Sequence, residues 1–583
     1  MPCTVACTRA LGFRTSLLLL AMAVACTREG AQTLDPTEPQ IALSVATERG
    51  TVVLRRVPEI AIDLPPTSAP EEPETVFLDR VGAADGLAFV ALKAPLAQRA
   101  RDRAALGTDS ISVEPRQVRR GTRSAIPAAQ VKAALDSLAG YGATIVQYYD
   151  ALGVALVRIS AAAARGLRSH PNVEYLDPLR PGPALDIETA PSMARPVLAT
   201  GSLTGQLVPW NIDSVRAPEA WAYSTGQGAR LLIIDSGHDY THPDLGPLPQ
   251  ENCNFGVYGG CNDDYPMWHG TPVAGVAIAR DNIFGVVGVS HGISTGDRYY
   301  WGACSSGVCY YPEIYNALNW SAGNLGANAV INMSYSNSVY DQTEAIAVAT
   351  AVAAGHVLVA SAGNTGTQQI RYPAGYSNVI GVASITQTNT FHPGSTYGAH
   401  VDVVAPNDAY TTIPAQQYAT VSGTSIAAPH VAGVAALIRA KYPSWSLSSV
   451  YYRLSRTAQA LGPFVPFGWG KVRAHLAVAF EGPSITATTT ASNRPKLSWS
   501  PVPFATDYRI YRRVTPLAPE WELWAEVSTT SYIDFSTIVT SFFGYNSYPS
   551  GVAVSYYVEA FSEGAQTNYT VYATYVPNGT PPF

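Results

Sequence analysis

The sequence is poor in charged residues and has no excess of basic ones. Asp, Glu, Lys and Arg make up 14% of the 583 residues, and the formal net charge is −6. Nucleic-acid-binding domains usually carry a basic patch or stripe, so we expect no nucleic-acid partner. After residue 25, no apolar run reaches the ~18 residues that a membrane-spanning helix needs. These shortages exclude a nucleic-acid binder and direct attention to the N-terminus and to the apolar segments.

The N-terminus has the pattern of a secretory signal in residues 1–26. Arg9 and Arg14 precede the apolar run LLLLAMAVA, residues 17–25, which ends in small residues and is too short to span a membrane. We therefore expect a secreted, extracellular protein. Cys26 follows the run directly, and the stretch is similar to a bacterial lipoprotein box, although Ala23 stands where leucine is usual. A cell-envelope lipoprotein anchored through Cys26 is the alternative.

Cysteine is scarce, and three of the seven residues belong to the signal region. The other four form two close pairs, Cys253 with Cys261 and Cys304 with Cys309. In an exported protein such pairs predict disulfides, and two local bridges are the simplest of the three possible connectivities. Metal binding is the alternative, which the absence of CxxC spacing and of neighbouring histidines disfavours.

The pattern of the sequence changes along the chain and divides it into segments. A Pro/Glu/Thr-rich linker is predicted for residues 27–75, a small α/β unit for 76–182 and a second linker for 183–205. Residues 206–482 alternate short apolar strands with helical stretches, which predicts an α/β domain whose parallel sheet carries helices on both faces. Residues 484–583 show strand patterns only, as in a β-sandwich.

Three residues in the α/β segment have the right types for nucleophilic catalysis. Ser425 in GTSIAAPH begins an apolar helix after a glycine, Asp235 ends the strand ARLLIID, and His269 begins the helix HGTPVAGVAIA. Each has an ordinary alternative: a helix N-cap for the serine, a turn residue for the aspartate and a capping or surface position for the histidine. Taken together they occur in the order Asp, His, Ser, which is that of the subtilisin-type triad.

The motifs around these residues extend the likeness. The blocks DSG…HPDL, HGTPVAG, VINMSY, SAGN, YPAGYSNVIGVAS, YGAHVDVVAP and GTSIAAPH occur in family order, so the segment resembles the subtilisin-like serine proteases (subtilases, peptidase S8). The resemblance implies a triad of Asp235, His269 and Ser425, and an oxyanion hole formed by Asn364 and the backbone N–H of Ser425. Pro272 replaces the histidine usual after HGT, in the first helical turn, where proline is tolerated.

The flanking segments also resemble known modules. Residues 76–182, which end in NVEYLDP and a short tail, are similar to the inhibitor-like propeptide of subtilases. Residues 484–583 resemble a fibronectin type III module, with Trp499 in the core and Tyr556 at the position of the tyrosine corner.

The resemblance implies that substrate binds between two strands. One is Ser334, Tyr335 and Ser336, and the other is Gly307 and Val308, held by a Cys304–Cys309 bridge. Tyr335 and Ser336 stand where Leu-Gly is common, which predicts a narrower S1 pocket, the pocket for the P1 side chain that precedes the cut bond. Gly363 and Arg371 are the remaining candidates; Arg371 either faces the base of S1 or, as the shorter loop favours, lies in solvent.

A structural calcium ion is the cofactor that the resemblance implies, and no catalytic cofactor is expected. Calcium takes six to eight oxygen ligands. The side chains of Gln206, Asp244 and Asn282 would supply some of these oxygens here. The backbone carbonyls of Arg280, Phe284 and Val286 would supply the others. An unliganded surface loop is the alternative.

The sequence therefore predicts a secreted, monomeric serine endopeptidase that acts on protein or peptide substrates. It would be made as a self-processing zymogen whose own propeptide serves as intramolecular chaperone and inhibitor. A catalytically silent binding or adhesion protein on the same scaffold is the alternative. An esterase or lipase is disfavoured, because it would show a GxSxG elbow and the order Ser, Asp, His.

Overall fold

The computed structural model divides the chain into two units, Met1–Glu59 and Ile60–Phe583. Within the first unit an antiparallel pair is described, β1 (Leu43–Thr47) and β2 (Gly50–Leu54), inside the segment predicted as a linker. The signal segment lies outside the described residues. The structure describes residues 43–47, 50–54, 86–92, 128–180, 182–183, 205–246, 253–254, 263, 268–305, 307–327, 329–480, 482–483, 485–490, 494–515, 518–534, 553–562, 565–566 and 573–575.

The second unit begins with a four-stranded antiparallel sheet and two helices, which we call the N-terminal subdomain. Its strand order is β4-β5-β3-β6. Alternate residues face opposite sides: Val90 and Val157 pack under the helices with Leu138, whereas Phe89 and Leu156 point away from them. The elements are β3 (Leu87–Leu92), α1 (Ala128–Gly140), β4 (Thr144–Tyr149), β5 (Val154–Arg158), α2 (Ala161–Arg168) and β6 (Val173–Pro178).

A seven-stranded sheet, parallel throughout, forms the centre of the next domain, with the order β15-β14-β13-β12-β7-β9-β8. The strands that predict it are apolar on both faces: Leu231 and Ile233 pack into one core, Leu232 and Ile234 into another. The strands are β7 (Leu231–Asp235), β8 (Cys253–Asn254), β9 (Arg298–Gly302), β12 (Val330–Met333), β13 (Val357–Ser361), β14 (Val379–Ile385) and β15 (Val403–Pro406).

Helices cover both faces of this sheet, as the alternating pattern predicted. The central one, α8 (Thr424–Lys441), is buried along almost its whole length. The others are α3 (Trp210–Ser214), α4 (Ala217–Ala220), α5 (Gly270–Ile278), α6 (Tyr311–Asn324), α7 (Gln342–Ala353), α9 (Leu447–Thr457), α10 (Phe464–Phe467) and α11 (Ala474–Ala479). Two hairpins complete the domain, β10 (Cys304–Ser305) with β11 (Val308–Cys309) and β16 (Asp408–Ile413) with β17 (Gln417–Ser422).

The C-terminal part contains two antiparallel sheets that share one apolar cluster. Trp499 belongs to the first sheet, and Ile510 and Tyr556 belong to the second. Leu476 and Phe480, from the end of the α/β domain, join the same cluster. The first sheet has β18 (Ile485–Thr489), β19 (Pro495–Trp499) and β22 (Ser531–Ile533); the second has β20 (Asp507–Thr515), β21 (Ala518–Val527), β23 (Ala553–Ser562), β24 (Ala565–Gln566) and β25 (Ala573–Tyr575).

In the part of the chain that the structure describes, every helix is too short or too polar to cross a membrane.

Candidate active site

An aspartate and a histidine meet at the carboxyl edge of the parallel sheet. Asp235 is the last residue of β7, and its Oδ1 lies 2.7 Å from Nδ1 of His269, the N-cap residue of α5. Both side chains are buried, with 1% and 4% of their surface exposed. The Ser236 backbone N–H donates to the same Oδ1 at 2.7 Å. The carboxylate therefore holds the imidazole in one orientation and favours the tautomer that carries its proton on Nδ1.

A second buried carboxylate, Asp263, supports this histidine and escaped the sequence analysis. One of its oxygens accepts the backbone N–H of His269 at 2.9 Å, and the other accepts that of Thr271 at 2.6 Å. Burial raises the pKa of Asp263, whereas its hydrogen bonds act in the opposite direction. Because the imidazole of His269 is committed to Asp235, it makes no cap for α5, and Asp263 provides the acceptor instead.

Ser425 lies in the first turn of α8, where the helix contributes a partial positive charge. Gly423, the N-cap, has φ +130°, a conformation that L side chains rarely adopt, and it allows the sharp turn into the helix. Ser425 is 1% exposed, and its hydroxyl donates to the Ser334 carbonyl at 3.0 Å. The Ser334 hydroxyl in turn donates to the Ser425 carbonyl at 2.8 Å. These paired contacts fix the serine against the end of β12.

Asn364 follows β13, next to the first turn of α8. Its Oδ1 accepts both the backbone N–H and the hydroxyl of Thr424, each at 2.9 Å. Since the carbonyl end of the amide is held by Thr424, the NH₂ end is the one that can donate to another group. The backbone N–H of Ser425, in the first turn of the same helix, is the second predicted oxyanion donor.

The two predicted substrate strands lie at this edge as well. The hairpin of β10 and β11 is closed by a Cys304–Cys309 disulfide, and Gly307 turns it with φ +81°. The hairpin is joined to the carboxyl edge of the sheet because the Ala303 N–H donates to the Asp235 carbonyl at 2.8 Å. Val308 is 41% exposed. For the second predicted pair, Cys253 lies in β8 and Cys261 lies outside the described residues, so that bridge stays a prediction.

The tail of the N-terminal subdomain touches β11. The Pro183 carbonyl accepts the Cys309 backbone N–H at 2.8 Å, and a Cβ on Gly182 would lie 1.6 Å from the Cys309 carbonyl oxygen. Only glycine allows this close approach of the two backbones. Upstream, Arg180 donates to the Tyr340 carbonyl at 3.2 Å. The residues that follow the subdomain thus begin to pair with one of the predicted substrate strands.

Arg371 lies between the ends of β12 and β13. Its Nε donates to the Ser336 hydroxyl at 2.8 Å, and its Nη2 donates to the Ser336 carbonyl at 3.4 Å. It is partly buried, and its position at the base of S1 stays a prediction. The Tyr335 ring is fully buried in the cluster that includes Tyr376, and a narrowing of S1 by Tyr335 stays a prediction.

An acidic pair that the sequence did not reveal lies at the start of α7, next to Tyr335. Glu344 and Asp341 are both buried, and the Tyr376 hydroxyl contacts Glu344 Oε2 at 3.0 Å. Burial, followed by the charge of Asp341, raises the pKa of Glu344 to about 8. The Asp341 side chain caps α7 through the Glu344 N–H at 2.7 Å. An Asp-x-x-Glu pair at a helix start is a capping signal, which explains its position but not its burial.

The predicted calcium ligands lie together at a loop beside α5. The Gln206 Oε1 accepts the Asn282 N–H at 2.8 Å, and the Asn282 Nδ2 donates to Asp244 Oδ1 at 3.0 Å. Asp244 is fully buried, and its other oxygen accepts the Val286 N–H at 2.9 Å. A Cβ on Gly285 would lie 2.2 Å from that oxygen. The remaining predicted donors are the carbonyls of Arg280, Phe284 and Val286.

This set fits calcium by its chemistry. It offers one carboxylate together with amide and carbonyl oxygens, and a flip of the Asn282 amide presents Oδ1 beside Asp244. Within the described ranges, no cluster of three His, Cys, Asp or Glu residues could hold a metal ion. The candidate therefore depends on neutral oxygen donors.

A parallel α/β sheet with an aspartate, a histidine and a serine at its carboxyl edge, in that chain order, is the arrangement of the subtilisin class. The Subtilase family (peptidase S8) matches residues 226–470. The chain is 39% identical to alkaline elastase YaB of Bacillus sp. (strain YaB), over 47% of this chain and 71% of the relative.

Two further relatives cover more of their own length. Subtilisin Savinase of Lederbergia lenta is 39% identical over 47% of this chain and 99% of the relative. Subtilisin NAT of Bacillus subtilis subsp. natto is 31% identical over 61% of this chain and 88% of the relative. The chain thus belongs to the subtilase family, and it is a subtilisin-like serine peptidase.

Proposed function

We propose that the protein is a secreted serine endopeptidase that hydrolyses peptide bonds with Asp235, His269 and Ser425. The observation that carries the proposal is the 2.7 Å contact between buried Asp235 and His269, at the sheet edge where Ser425 lies in the first turn of α8. A free serine hydroxyl is a weak nucleophile and needs a base that is itself oriented by a third group. The three residues supply these roles.

The reaction proceeds by transfer of an acyl group to the serine. The Ser425 hydroxyl gives up its present contact with the Ser334 carbonyl, and its proton passes to His269 as Oγ attacks the substrate carbonyl. Asp235 stabilises the imidazolium that forms. His269 then returns the proton to the leaving amine, and water repeats the sequence to release the acid product. Asn364 and the Ser425 N–H stabilise the oxyanion, a contribution of about 2.7–4 kcal/mol per side-chain donor in such enzymes.

The N-terminal subdomain is proposed to be a propeptide that folds against the peptidase domain and inhibits it. It lays one face of its sheet on α6, where Phe89 and Tyr149 form a shared cluster with Tyr315. Polar contacts border this cluster: the Tyr175 hydroxyl lies 2.9 Å from the Thr343 hydroxyl, and the Ala151 N–H donates to Asn319 at 2.9 Å. In its tail, the Pro183 carbonyl is hydrogen-bonded to β11, the strand on which we place the substrate.

Self-processing follows from this arrangement, with cleavage in the linker at 183–205. The subdomain, proposed at 76–182, would assist folding and then block the site until it is released. The peptidase domain would span 206–482, with a structural calcium ion held by the loop of Asn282. The calcium ion would stabilise this loop and takes no part in the proton transfers.

Residues 484–583 are proposed to form a fibronectin type III-like domain. Two antiparallel sheets that share Trp499 and Tyr556 support this proposal, and the Tyr556 hydroxyl donates to Asp534 at 2.6 Å. Secretion rests on the signal-like residues 1–26, with a lipid on Cys26 of a cell-envelope protein as the alternative. The mature enzyme is proposed to act as a monomer on proteins and peptides.

A fluorophosphonate probe tests the catalytic proposal directly. The purified mature protein should form a covalent adduct on Ser425, and the adduct should be lost in His269→Ala. Hydrolysis of an unstructured protein such as casein should disappear in the same variant. If Ser425 is not labelled although the protein is folded and the N-terminal subdomain has been removed, the catalytically silent binding protein is the correct interpretation.

A further inference from the structure

Two loop segments border Ser425, and Arg371 lies between them. Ser334 and Ser336 follow β12, Gly363 follows β13, and these are adjacent parallel strands. Both segments border the nucleophile: Ser334 accepts from the Ser425 hydroxyl, and the Gly363 N–H donates to the Thr424 hydroxyl at 3.1 Å. If the attacked carbonyl faces Ser425 and its oxygen faces Asn364, the adjoining side chain lies in this gap.

Arg371 is built into that gap. Its guanidinium is held on one side by Ser336, through Nε at 2.8 Å. On the other side, a Cβ on Gly363 would lie 2.4 Å from Arg371 Cδ and 2.7 Å from Nε. Gly363 has φ +102°, so both its backbone conformation and this contact require glycine. Only glycine at 363 leaves room for the arginine in its observed position.

The position gives the pocket a fixed positive charge. Arginine stays protonated at every working pH and binds carboxylates with two parallel hydrogen bonds. Burial lowers the pKa of His400, and the charge of Arg371 adds to this effect, whereas the contact of His400 Nε2 with the Ala362 carbonyl at 3.2 Å opposes it. A neutral apolar P1 side chain would have to desolvate the guanidinium without replacing its lost hydrogen bonds, which is costly.

We propose that Arg371 makes the S1 pocket selective for Glu and Asp at P1. The proposal rests on the proposed peptidase function and names its substrate class. A P1 carboxylate accepts hydrogen bonds from the guanidinium, and the side chain of Glu or Asp then replaces the water that solvates it. The same pocket accepts Gln, the neutral isostere of Glu, less well, because a charge-assisted hydrogen bond becomes a neutral one.

The chain supplies a substrate of this kind itself. The Pro183 carbonyl is hydrogen-bonded to Cys309 of β11, the strand on which we place the substrate. The proposed linker at 183–205 has only two acidic residues, Asp186 and Glu188, which follow Pro183 by three and five positions. The first self-cleavage is therefore assigned to the bond after Asp186 or after Glu188.

Peptide anilides that differ only at P1, as Glu, Gln or Phe, test the specificity. For the wild type, kcat/KM should be at least tenfold higher for Glu than for Gln at low ionic strength, and the ratio should fall as salt is added. Arg371→Gln should bring the ratio near one, and Arg371→Lys should retain part of it. Arg509→Gln, which removes one positive charge in the C-terminal domain, is the control and should leave the ratio unchanged.

A Glu-to-Gln ratio of one or less in the wild type would overturn the proposal, and so would an unchanged ratio in Arg371→Gln. Labelling of Ser425 by a fluorophosphonate together with rapid cleavage after Phe would, in that case, leave the peptidase function intact. Failure of all three anilides and of the label would instead contradict the peptidase function itself.

The mass of the N-terminal fragment at the earliest time of processing tests the self-cleavage site. It should end at Asp186 or Glu188, and the double variant Asp186→Asn, Glu188→Gln should be processed at least tenfold more slowly. Arg195→Gln, a charge change in the same linker, should be processed at the normal rate. A first fragment that ends elsewhere, formed at a normal rate by the double variant, would refute the assignment.

Discussion

The two β-rich domains that flank the peptidase domain contact it in different ways. The N-terminal subdomain has a core of its own on one face of its sheet, which includes Val90 and Leu138. The other face of the sheet packs against α6. The C-terminal sheets share their core with Leu476 of α11 and with Phe480, the residue that follows this helix. Both interfaces bury apolar side chains, but the N-terminal subdomain keeps a separate core when it leaves, whereas the described apolar cluster of the C-terminal sheets is the shared one. The first arrangement suits a temporary partner and the second a permanent one.

Ser425→Ala gives the largest expected effect, because it stops the N-terminal subdomain from leaving. Loss of the nucleophile in enzymes of this type lowers kcat by about 10⁶-fold. The purified variant should therefore be inactive and keep the N-terminal subdomain covalently attached. Mass spectrometry of the intact chain, with no other protease present, checks the result. Normal maturation of this variant would show that a different protease does the cutting.

Phe480→Ala should destabilise the peptidase and C-terminal domains together. Phe480 is fully buried in the shared cluster, and truncation of a buried phenylalanine usually costs about 3–5 kcal/mol. The mature variant should melt at a lower temperature, and peptidase activity should be lost over the same temperature range. Calorimetry and activity after heating measure the two. Two separate transitions, with only the C-terminal one shifted, would contradict the shared core.

Phe89→Ala is the matched change at the other interface. The Phe89 ring lies 4.8 Å from that of Tyr315, and it is 2% exposed. The loss of about 3 kcal/mol of packing should speed release of the cleaved subdomain by about 100-fold. The lag before activity appears should shorten, while the melting temperature of the mature enzyme stays that of the wild type. An unchanged lag would mean that the tail, and not the sheet, holds the subdomain.

These contrasts also show which features a single sequence can predict. The strand around Leu232 and the helix of Ser425 follow local apolar patterns, and the order of Asp235, His269 and Ser425 identifies the site. The roles of Asp263 and Arg371 do not follow from local pattern. Asp263 accepts hydrogen bonds from the backbone of residues six and eight positions further along the chain, a contact that no apolar periodicity predicts. The direction of Arg371 depends on Gly363 and Ser336, which are distant in sequence.

Calcium binding at the loop of Asn282, which we propose, would add to the stability that packing gives the peptidase domain. Ligand binding at a hundred times Kd stabilises a protein by about 2.7 kcal/mol. A chelator should lower the melting temperature of the mature wild type, and Asp244→Ala should remove most of this response. Asp244 also accepts hydrogen bonds from Val286 and Tyr418, which Asp244→Ala removes together with the calcium ligand. Asp244→Asn, which changes the side chain less, is therefore the control for the loss of these contacts. A wild-type melting curve that ignores the chelator would rule out the ion.

Glu344 gives the smallest expected effect, a change in how stability depends on pH. Its pKa is raised by burial to about 8 in the folded protein, above the ordinary value of 4.5, so the folded state binds the extra proton. This contribution is complete below pH 4.5 and is lost as the pH rises through 8. In Glu344→Gln, the melting temperature should fall less between pH 6 and pH 9 than in the wild type. An identical fall in both would assign the dependence to other groups.

The disulfide between Cys304 and Cys309 holds a strand that binds two different chain segments in succession in the proposed enzyme. The strand that it closes receives Pro183 before processing and receives external substrate afterwards. Its ring spans a sequence separation of only five residues, so it restricts the unfolded chain much less than a long-range bridge would. Expression in a reducing compartment should therefore yield a folded chain that matures slowly and binds peptides weakly, a defect that later oxidation repairs without refolding.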